Sequence, residues 1–94
     1  MKKYTVYGIT CNCGKVWVGK TVNLPTRQRG HRYDCFNANS YSYNSRICWH
    51  FRNCGLTPST LELLPLEEEL GRYEAIESEY MFVNDLGELN HDRL

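Results

Sequence analysis

The sequence predicts an α+β fold, a small three-stranded antiparallel sheet flanked by helices in the order ββααβα. Two segments rich in β-branched and aromatic residues, 4–9 and 15–19, flank a Cys-Asn-Cys-Gly turn, as expected for a β-hairpin. Helix-capping residues and helical spacing follow, with one further strand between them. A small antiparallel sheet covers its apolar side with helices, and 94 residues suit one such domain, residues 1–94.

The first helix is predicted from its capping residues. Asn23 is the expected N-cap, Pro25 fits the first turn, and the helix covers residues 26–35. Gly30 in its interior costs about 1 kcal/mol relative to alanine. This cost suggests that another group, either substrate or a neighbouring strand, approaches the helix backbone there.

A polar loop, residues 36–44, precedes the second helix. Ser45 is the expected N-cap of that helix, and Gly55 is expected to close its C-terminal end. The helical positions expected to face the core are Ile47, Cys48 and Phe51. Residues 41–44, with Arg46 after them, either stack on nucleic acid or form an ordinary surface loop.

A third strand is predicted over residues 57–64, where Pro65 ends it. The last helix is predicted to begin at residue 66 or 67 and to continue to residue 86, with Gly87 as its stop. Its helical period is set by Leu70, Tyr73, Ile76, Tyr80 and Val83.

A second apolar stripe lies beside the first on the last helix, and it contains one carboxylate. Its members are Ala75, Glu79, Phe82 and Leu86. A carboxylate partly removed from water needs a cation, a metal ion or hydrogen-bond donors. Glu79 is therefore a candidate ligand, whereas Glu77 faces away from the stripe and is expected to be solvated.

The formal charge of zero hides a division along the chain. Residues 1–52 contain nine Lys and Arg against one Asp, a net charge of +8, and residues 53–94 contain two against ten acids, a net charge of −8. Such an asymmetry is typical of a face that binds a polyanion opposite a solvated acidic face. Alternatively, the two halves pair with each other on folding.

Five cysteines, an odd number, argue against a closed disulfide framework. No apolar run is long enough to span a membrane and the N-terminus lacks a signal-peptide core, so an intracellular location with reduced thiols is expected. Cys11 and Cys13 could bind zinc together with Cys35, Cys48 or Cys54. A single residue between paired thiolates matches no standard zinc module, so small semi-buried thiols are the preferred interpretation.

Arg27 and His31 are four residues apart in the predicted first helix. Their side chains would stand on one face, one turn apart, where both can reach a single phosphate. An ordinary amphipathic helix with polar residues facing water explains the same spacing. Other parts of the chain must decide between these interpretations.

Five short motifs follow one another along the chain. Thr5-Val6-Tyr7, then Trp17-Val18-Gly19, then Arg27 and His31, and finally Glu79 late in the last helix resemble the successive motifs of the GIY-YIG nuclease family. Residues 76–86 are similar to the glutamate-bearing helix of the phage intron-encoded members. The resemblance covers residues 4–90 and keeps the ββααβα order.

Three features depart from the family pattern. Trp17 replaces the second tyrosine of the signature, which leaves an indole N–H in place of a hydroxyl, and Thr5 replaces the first glycine. Some members carry an additional active-site histidine before the second helix, where this chain has residues 41–43. His50 lies within the following helix and is expected to be structural.

The resemblance implies a free-standing, metal-dependent DNA endonuclease, encoded by a phage or another mobile element, that uses Mg²⁺ or Mn²⁺. Glu79 matches the metal-binding glutamate, and Tyr7 matches the tyrosine proposed as general base. Arg27 would bind a phosphate oxygen and favour the phenolate form of Tyr7. His31 would orient the reacting groups or relay the proton.

Five further residues are candidate substrate contacts: Trp17, Gly19, Lys20, Arg46 and Asn90. Asn90 lies where the family carries a terminal asparagine that braces the site. Taken singly, Trp17 is also explained as a core residue and Lys20 as a surface lysine.

Two functions of other classes remain open. One is a catalytically inactive nucleic-acid-binding or regulatory protein that keeps the fold, which the change at Trp17 permits. The other is a protein-interaction module whose acidic C-terminal half docks on a basic partner. No membrane partner is expected, and the sequence leaves open whether the protein is a monomer or a homodimer. A phage-encoded nuclease would act in the cytoplasm of the host cell.

Overall fold

A computed structural model describes residues 2–91 of the chain. This part contains three strands and four helices, joined by turns and loops. In chain order they are β1 (Tyr4–Thr10), β2 (Val16–Thr21), α1 (Leu24–Phe36), α2 (Arg46–Asn53), β3 (Leu64–Leu70), α3 (Arg72–Leu86) and α4 (Glu88–His91). The predicted order ββααβα and the α+β class are confirmed, and the short α4 is added at the end. Residues 1 and 92–94 of the predicted domain lie outside the described part.

The sheet has the order β2-β1-β3, and both pairings are antiparallel. Tyr7 lies opposite Gly19, and Val6 lies opposite Lys20. Since side chains alternate between the two faces of a strand, Tyr7 and Gly19 share one face, and Val6 and Lys20 share the other. This alternation decides which helix each side chain meets.

The core consists of two clusters, one on each face of the sheet. The first joins Tyr7 and Ile9 of β1 with Cys35 of α1 and Phe51 of α2. The second contains Val6, Val18, Leu70 and Ala75. Helices α1 and α2 therefore cover one face of the sheet, and α3 covers the other.

The capping predictions for the first two helices are confirmed. The Asn23 side chain accepts a hydrogen bond from the Thr26 N–H at 3.1 Å, and α1 begins two residues earlier than predicted, at Leu24. The Ser45 hydroxyl accepts a hydrogen bond from the Cys48 N–H at 3.4 Å, at the start of α2.

The C-terminal end of α2 is closed as predicted. Gly55 follows the C-cap with a φ of +85°, a conformation that glycine adopts without strain. Its N–H donates to the Arg52 carbonyl at 3.1 Å, and the Leu56 N–H donates to the Phe51 carbonyl at 3.0 Å. This pair of hydrogen bonds is the Schellman motif, which satisfies carbonyls at the helix end.

The predicted third strand was wrong in position. β3 covers Leu64–Leu70 with Pro65 inside it, while the Thr60 and Leu61 N–H groups both donate to the Thr57 carbonyl at 3.0 Å in a turn. β3 lies at the edge of the sheet, where a residue without an N–H leaves no partner strand unpaired. Proline therefore did not end this strand.

The predicted start of the last helix was also wrong. α3 begins at Arg72, after Gly71, whose N–H donates to the Glu74 carboxylate at 2.9 Å. Tyr73 and Tyr80, two members of the first helical row, are 77% and 70% exposed. The second stripe contributes the buried Ala75 instead, although its last member, Leu86, is exposed. Within residues 2–91, no helix has the length and apolar character needed to cross a membrane.

Candidate functional site

The Tyr7 hydroxyl is hydrogen-bonded to His31 Nε2 at 2.8 Å, between the central strand and α1. Both side chains are buried, and Tyr7 is 1% exposed. Burial and the nearby charge of Arg27 lower the pKa of His31 to about 4. His31 is therefore a neutral imidazole at pH 7, and in the tautomer protonated at Nδ1 its Nε2 accepts the hydrogen bond of the phenol.

Arg27 lies one turn before His31 on α1, as the spacing predicted, and its side chain is exposed. Its guanidinium folds over Gly30, because a Cβ on that glycine would lie 3.4 Å from Arg27 Nη1. No strand approaches Gly30 among the described residues, contrary to one of the two expectations for this position. The glycine leaves space for the arginine of its own helix.

Tyr7 is held as a neutral phenol. Burial raises its pKa, the proximity of Arg27 acts in the opposite direction, and the charge of Glu79 raises it further. The effect expected from Arg27 is therefore present, but burial outweighs it. The chemically useful feature is the proton acceptor already in contact with the hydroxyl, His31.

Gly19 makes room for the Tyr7 hydroxyl. A Cβ on Gly19 would lie 2.6 Å from Tyr7 Oη and 2.7 Å from Trp17 Cζ3. Both distances are shorter than a carbon atom tolerates, so only glycine fits this position without displacing the two rings. The role of Gly19 visible here is steric.

Trp17 forms a wall of the same pocket. Its ring stands edge-on to His31 at a centroid distance of 5.4 Å and is tilted against Tyr7 at 6.1 Å. Trp17 is partly buried and packs against the first core cluster. The tryptophan that replaces the signature tyrosine thus orients the histidine through packing.

Glu79 of α3 forms an ion pair with Lys20 of β2, with 2.8 Å between Nζ and Oε1. Both side chains are about one-third exposed. The carboxylate in the apolar stripe therefore has a cation as its partner. This pair lies on the α3 face of the sheet, and the Tyr7–His31 pair lies on the opposite face. Lys20 is adjacent in β2 to Gly19, the strand partner of Tyr7.

Despite this separation, the charge of Glu79 influences the Tyr7 hydroxyl on the other face of the sheet. The charges of Arg27 and Glu79 both reach the Tyr7 hydroxyl. The structure thus brings the four predicted catalytic residues to one region of β2, from three different elements. These elements are β1 for Tyr7, α1 for Arg27 and His31, and α3 for Glu79.

No family model, curated protein or solved structure matches the chain. The resemblance to GIY-YIG nucleases therefore stays a prediction from the sequence motifs.

Asn90 braces the strand that carries Trp17 and Gly19. From α4, its Oδ1 accepts a hydrogen bond from the Val18 N–H at 2.8 Å, and its Nδ2 donates to the Val18 carbonyl at 2.8 Å. Both polar groups of the Asn90 side chain are therefore hydrogen-bonded to the backbone of one residue of β2, Val18. The observed contacts are those of a brace and place no substrate group on Asn90.

Arg46 is exposed at the first position of α2, and its side chain makes no hydrogen bond or ion pair with the described residues. No contact connects it with Tyr7 or Glu79. In the preceding loop, Tyr41 is fully exposed, whereas the ring of Tyr43 is covered by the Arg52 guanidinium at 3.8 Å. Tyr41 and Arg46 remain available to a ligand.

A second cluster of reactive side chains lies where the β1–β2 turn meets the end of α2. Cys11, Cys13, His50 and Cys54 place one ligand atom each within 4.8 Å of all the others. All five cysteines are free thiols, as expected. The remaining two, Cys35 and Cys48, are buried in the first core cluster with their sulfurs 2.9 Å apart.

From the sequence, Cys54 was a possible zinc partner of the turn cysteines, whereas His50 was expected to be structural. The signal that could have found His50 is its position four residues before Cys54, which puts both side chains on one face of α2. This cluster could hold a metal ion that prefers sulfur and nitrogen ligands, whereas Mg²⁺ prefers oxygen ligands such as carboxylates.

Proposed function

We propose that this protein is a metal-dependent DNA endonuclease of the GIY-YIG type, which hydrolyses phosphodiester bonds. The observation that carries the proposal is the Tyr7–His31 hydrogen bond at 2.8 Å, placed within reach of the charges of Arg27 and Glu79. A proton acceptor, a proton carrier, a cation and a carboxylate are the groups that hydrolysis of a phosphodiester requires.

The proton path follows from the two buried rings. Tyr7 Oη takes a proton from the attacking water while its own proton passes to His31 Nε2, so the phenol never has to carry a full charge in water. His31 is a weak base in the free protein because burial and Arg27 lower its pKa. A phosphate beside the pair adds negative charge and makes His31 a stronger base. Proton transfer is therefore linked to the presence of DNA.

Arg27 is the exposed member of the catalytic group. Its guanidinium bonds a non-bridging phosphate oxygen, where negative charge grows as the bond to the water forms. Because Tyr7 is 1% exposed, the attacking water reaches Oη only after a local opening. Movement of Arg27 towards the phosphate provides that opening.

Glu79 is the residue that would hold Mg²⁺ or Mn²⁺. Mg²⁺ in enzymes commonly keeps several waters and takes one or two carboxylates together with substrate phosphates. A single, partly exposed carboxylate fits that pattern, provided that Lys20 releases it. Lys20 then has a phosphate as its natural partner. When bound, the metal ion supplies stabilisation of the leaving 3′ oxygen.

The test is the conversion of supercoiled plasmid, with Mg²⁺ present or omitted, by the wild type and by Glu79→Ala. We expect metal-dependent open-circular or linear product that disappears in Glu79→Ala. The matched control is Glu77→Ala, which removes an exposed carboxylate from the same helix and should leave cleavage intact. Open-circular product indicates action on one strand, and linear product indicates action on both.

Two outcomes would overturn the proposal. If the wild type binds DNA with a strong salt dependence but leaves several plasmid substrates uncut, the protein is a non-catalytic nucleic-acid-binding protein. If it shows no affinity for DNA at all, the acidic C-terminal half as a protein-interaction surface becomes the better explanation.

As a nuclease, the protein would belong to a phage or another mobile element and would act in the host cytoplasm, where it meets DNA.

A further inference from the structure

The cluster of Cys11, Cys13, His50 and Cys54 joins two parts of the chain that are distant in sequence. Cys11 and Cys13 lie at the start of the β1–β2 turn, which is closed by the Cys11 N–H on the Lys15 carbonyl at 2.8 Å. His50 and Cys54 lie at the end of α2. Their ligand atoms converge although 37 residues separate Cys13 from His50.

The spacing of the ligand atoms suits a tetrahedral ion. The Cys13 sulfur lies 3.3 Å from His50 Nε2, and the Cys54 sulfur lies 3.5 Å from the same nitrogen. Ligands around Zn²⁺, at about 2.3 Å for sulfur and about 2.0 Å for nitrogen, are separated from each other by roughly 3.5–3.8 Å. Small side-chain adjustments would bring all four atoms to that geometry.

The backbone of the turn directs N–H groups at the sulfurs of the cluster. The Lys15 N–H is directed at the Cys13 sulfur, and His50 Nε2 lies 3.3 Å from the same sulfur. The Cys13 N–H is directed at the Cys11 sulfur. Backbone N–H groups directed at ligand sulfurs are outer-shell interactions that support a bound metal ion.

A contact that involves no ligand atom fixes the two elements to each other. The Asn12 side chain donates to the Cys54 carbonyl at 2.9 Å. The turn is therefore docked on the end of α2 independently of any metal, so the cluster is preorganised. Because of this contact, the four ligand side chains converge through the position of the backbone and not through the conformations of flexible side chains alone.

We propose that Cys11, Cys13, His50 and Cys54 bind one Zn²⁺ in a structural site that fastens the hairpin turn to α2. Three thiolates and one imidazole are a standard donor set for zinc, and soft sulfur ligands disfavour Mg²⁺. Four protein ligands complete the tetrahedron and leave no position for substrate. The site is thus separate from Glu79 and does not depend on the proposed nuclease activity.

The experiment is a titration of the reduced, metal-free full-length protein with Co²⁺, followed by displacement with Zn²⁺. We expect one equivalent of Co²⁺, a thiolate-to-cobalt charge-transfer band, and the visible bands of a tetrahedral site. One equivalent of Zn²⁺ should bleach all of them. A wild-type protein that shows no charge-transfer band, or an octahedral spectrum, contradicts the proposal.

Two variants locate the ion. Cys13→Ser changes an exposed residue, so folding should be retained, and its charge-transfer intensity should fall by about one-third because one of three thiolates is lost. Its Zn²⁺ affinity should fall by at least about 100-fold, since outer-shell changes alone cost roughly 10–100-fold. Cys48→Ser, outside the cluster, is the matched control and should bind like the wild type. Equal binding by Cys13→Ser and the wild type would overturn the assignment.

Discussion

At the scale of single residues, the Tyr7–His31 pair shows how burial selects a protonation state. The ring of His31 is enclosed by Tyr7 and Trp17, and it lies near a permanent cation, Arg27. Both influences oppose a charge on the imidazole. His31, which the sequence predicts to be catalytic, is therefore kept neutral. A neutral imidazole is the form of the side chain that can accept a proton.

This neutral state has a consequence for stability. The pKa of His31 falls from 6.5 to about 4 on folding, so between these values the unfolded chain binds more protons than the folded chain. The free energy of unfolding should therefore decrease as the pH falls from about 6.5 to about 4, by up to about 3 kcal/mol from this residue.

The measurement is urea unfolding of metal-free wild type and His31→Gln across that pH range. Glutamine keeps a hydrogen-bonding side chain but does not titrate, so the difference between the two proteins isolates His31 from the carboxylates. The two curves should converge towards acidic pH. Parallel curves would show that His31 titrates normally in the folded state.

Gly19→Ala tests the close packing above the Tyr7 hydroxyl. The added methyl would lie 2.6 Å from Tyr7 Oη, so the ring must move and its hydrogen bond to His31 must lengthen. We expect a loss of about 1–3 kcal/mol in unfolding free energy. Plasmid cleavage should fall as well, since the proton path is disturbed.

The control for that change is Gly30→Ala in α1. The nearest group to the added methyl is the mobile end of Arg27, at 3.4 Å. A helix interior favours alanine over glycine, so stability should rise by up to about 1 kcal/mol. Chemical denaturation of both variants checks the opposite signs. Equal effects would mean that glycine at position 19 is not required for space.

At the scale of elements, α4 acts through one side chain. Asn90 satisfies both backbone groups of Val18 that point away from β1, on the strand segment between Trp17 and Gly19. Asn90→Ala should cost about 1–3 kcal/mol, because it leaves two partly buried backbone groups without a protein partner. It should also accelerate hydrogen exchange of the Val18 amide. The exposed Asn84→Ala is the control and should change neither.

The elements differ in how far the sequence could predict them. The ends of α1 and α2 depend on hydrogen bonds between residues three to five positions apart, such as that from the Thr26 N–H to Asn23, so local residue types were sufficient. β3 depends on pairing with β1, which lies some 60 residues earlier, and its acidic residues look helical in isolation. The row of Tyr73 and Tyr80 was periodic but faces water, because α3 packs through smaller side chains such as Ala75.

At the scale of the whole molecule, the sequence predicts some residues of the candidate site but not the long-range contacts between them. The motifs predicted Tyr7, Arg27, His31 and Glu79 as catalytic residues, and in the structure the charges of Arg27 and Glu79 both act on Tyr7, while that of Arg27 also acts on His31. The ion pair that Lys20 forms with Glu79 links positions 59 residues apart and could not be read from spacing. The approach of His50 to the cysteine turn has the same long-range origin.

The two outer strands also limit how copies of the chain can meet. On β2, the Asn90 amide occupies the outward backbone groups of Val18, and on β3, Pro65 and the acidic residues 67–69 interrupt the free edge. Unpaired edges are where sheets of different molecules fuse, and charge, proline and side-chain cover are the usual protections. Continuation of the sheet into a neighbouring molecule is therefore disfavoured on both sides. If the proposed nuclease cuts both DNA strands as a dimer, its two copies would have to associate through surfaces other than the sheet edges.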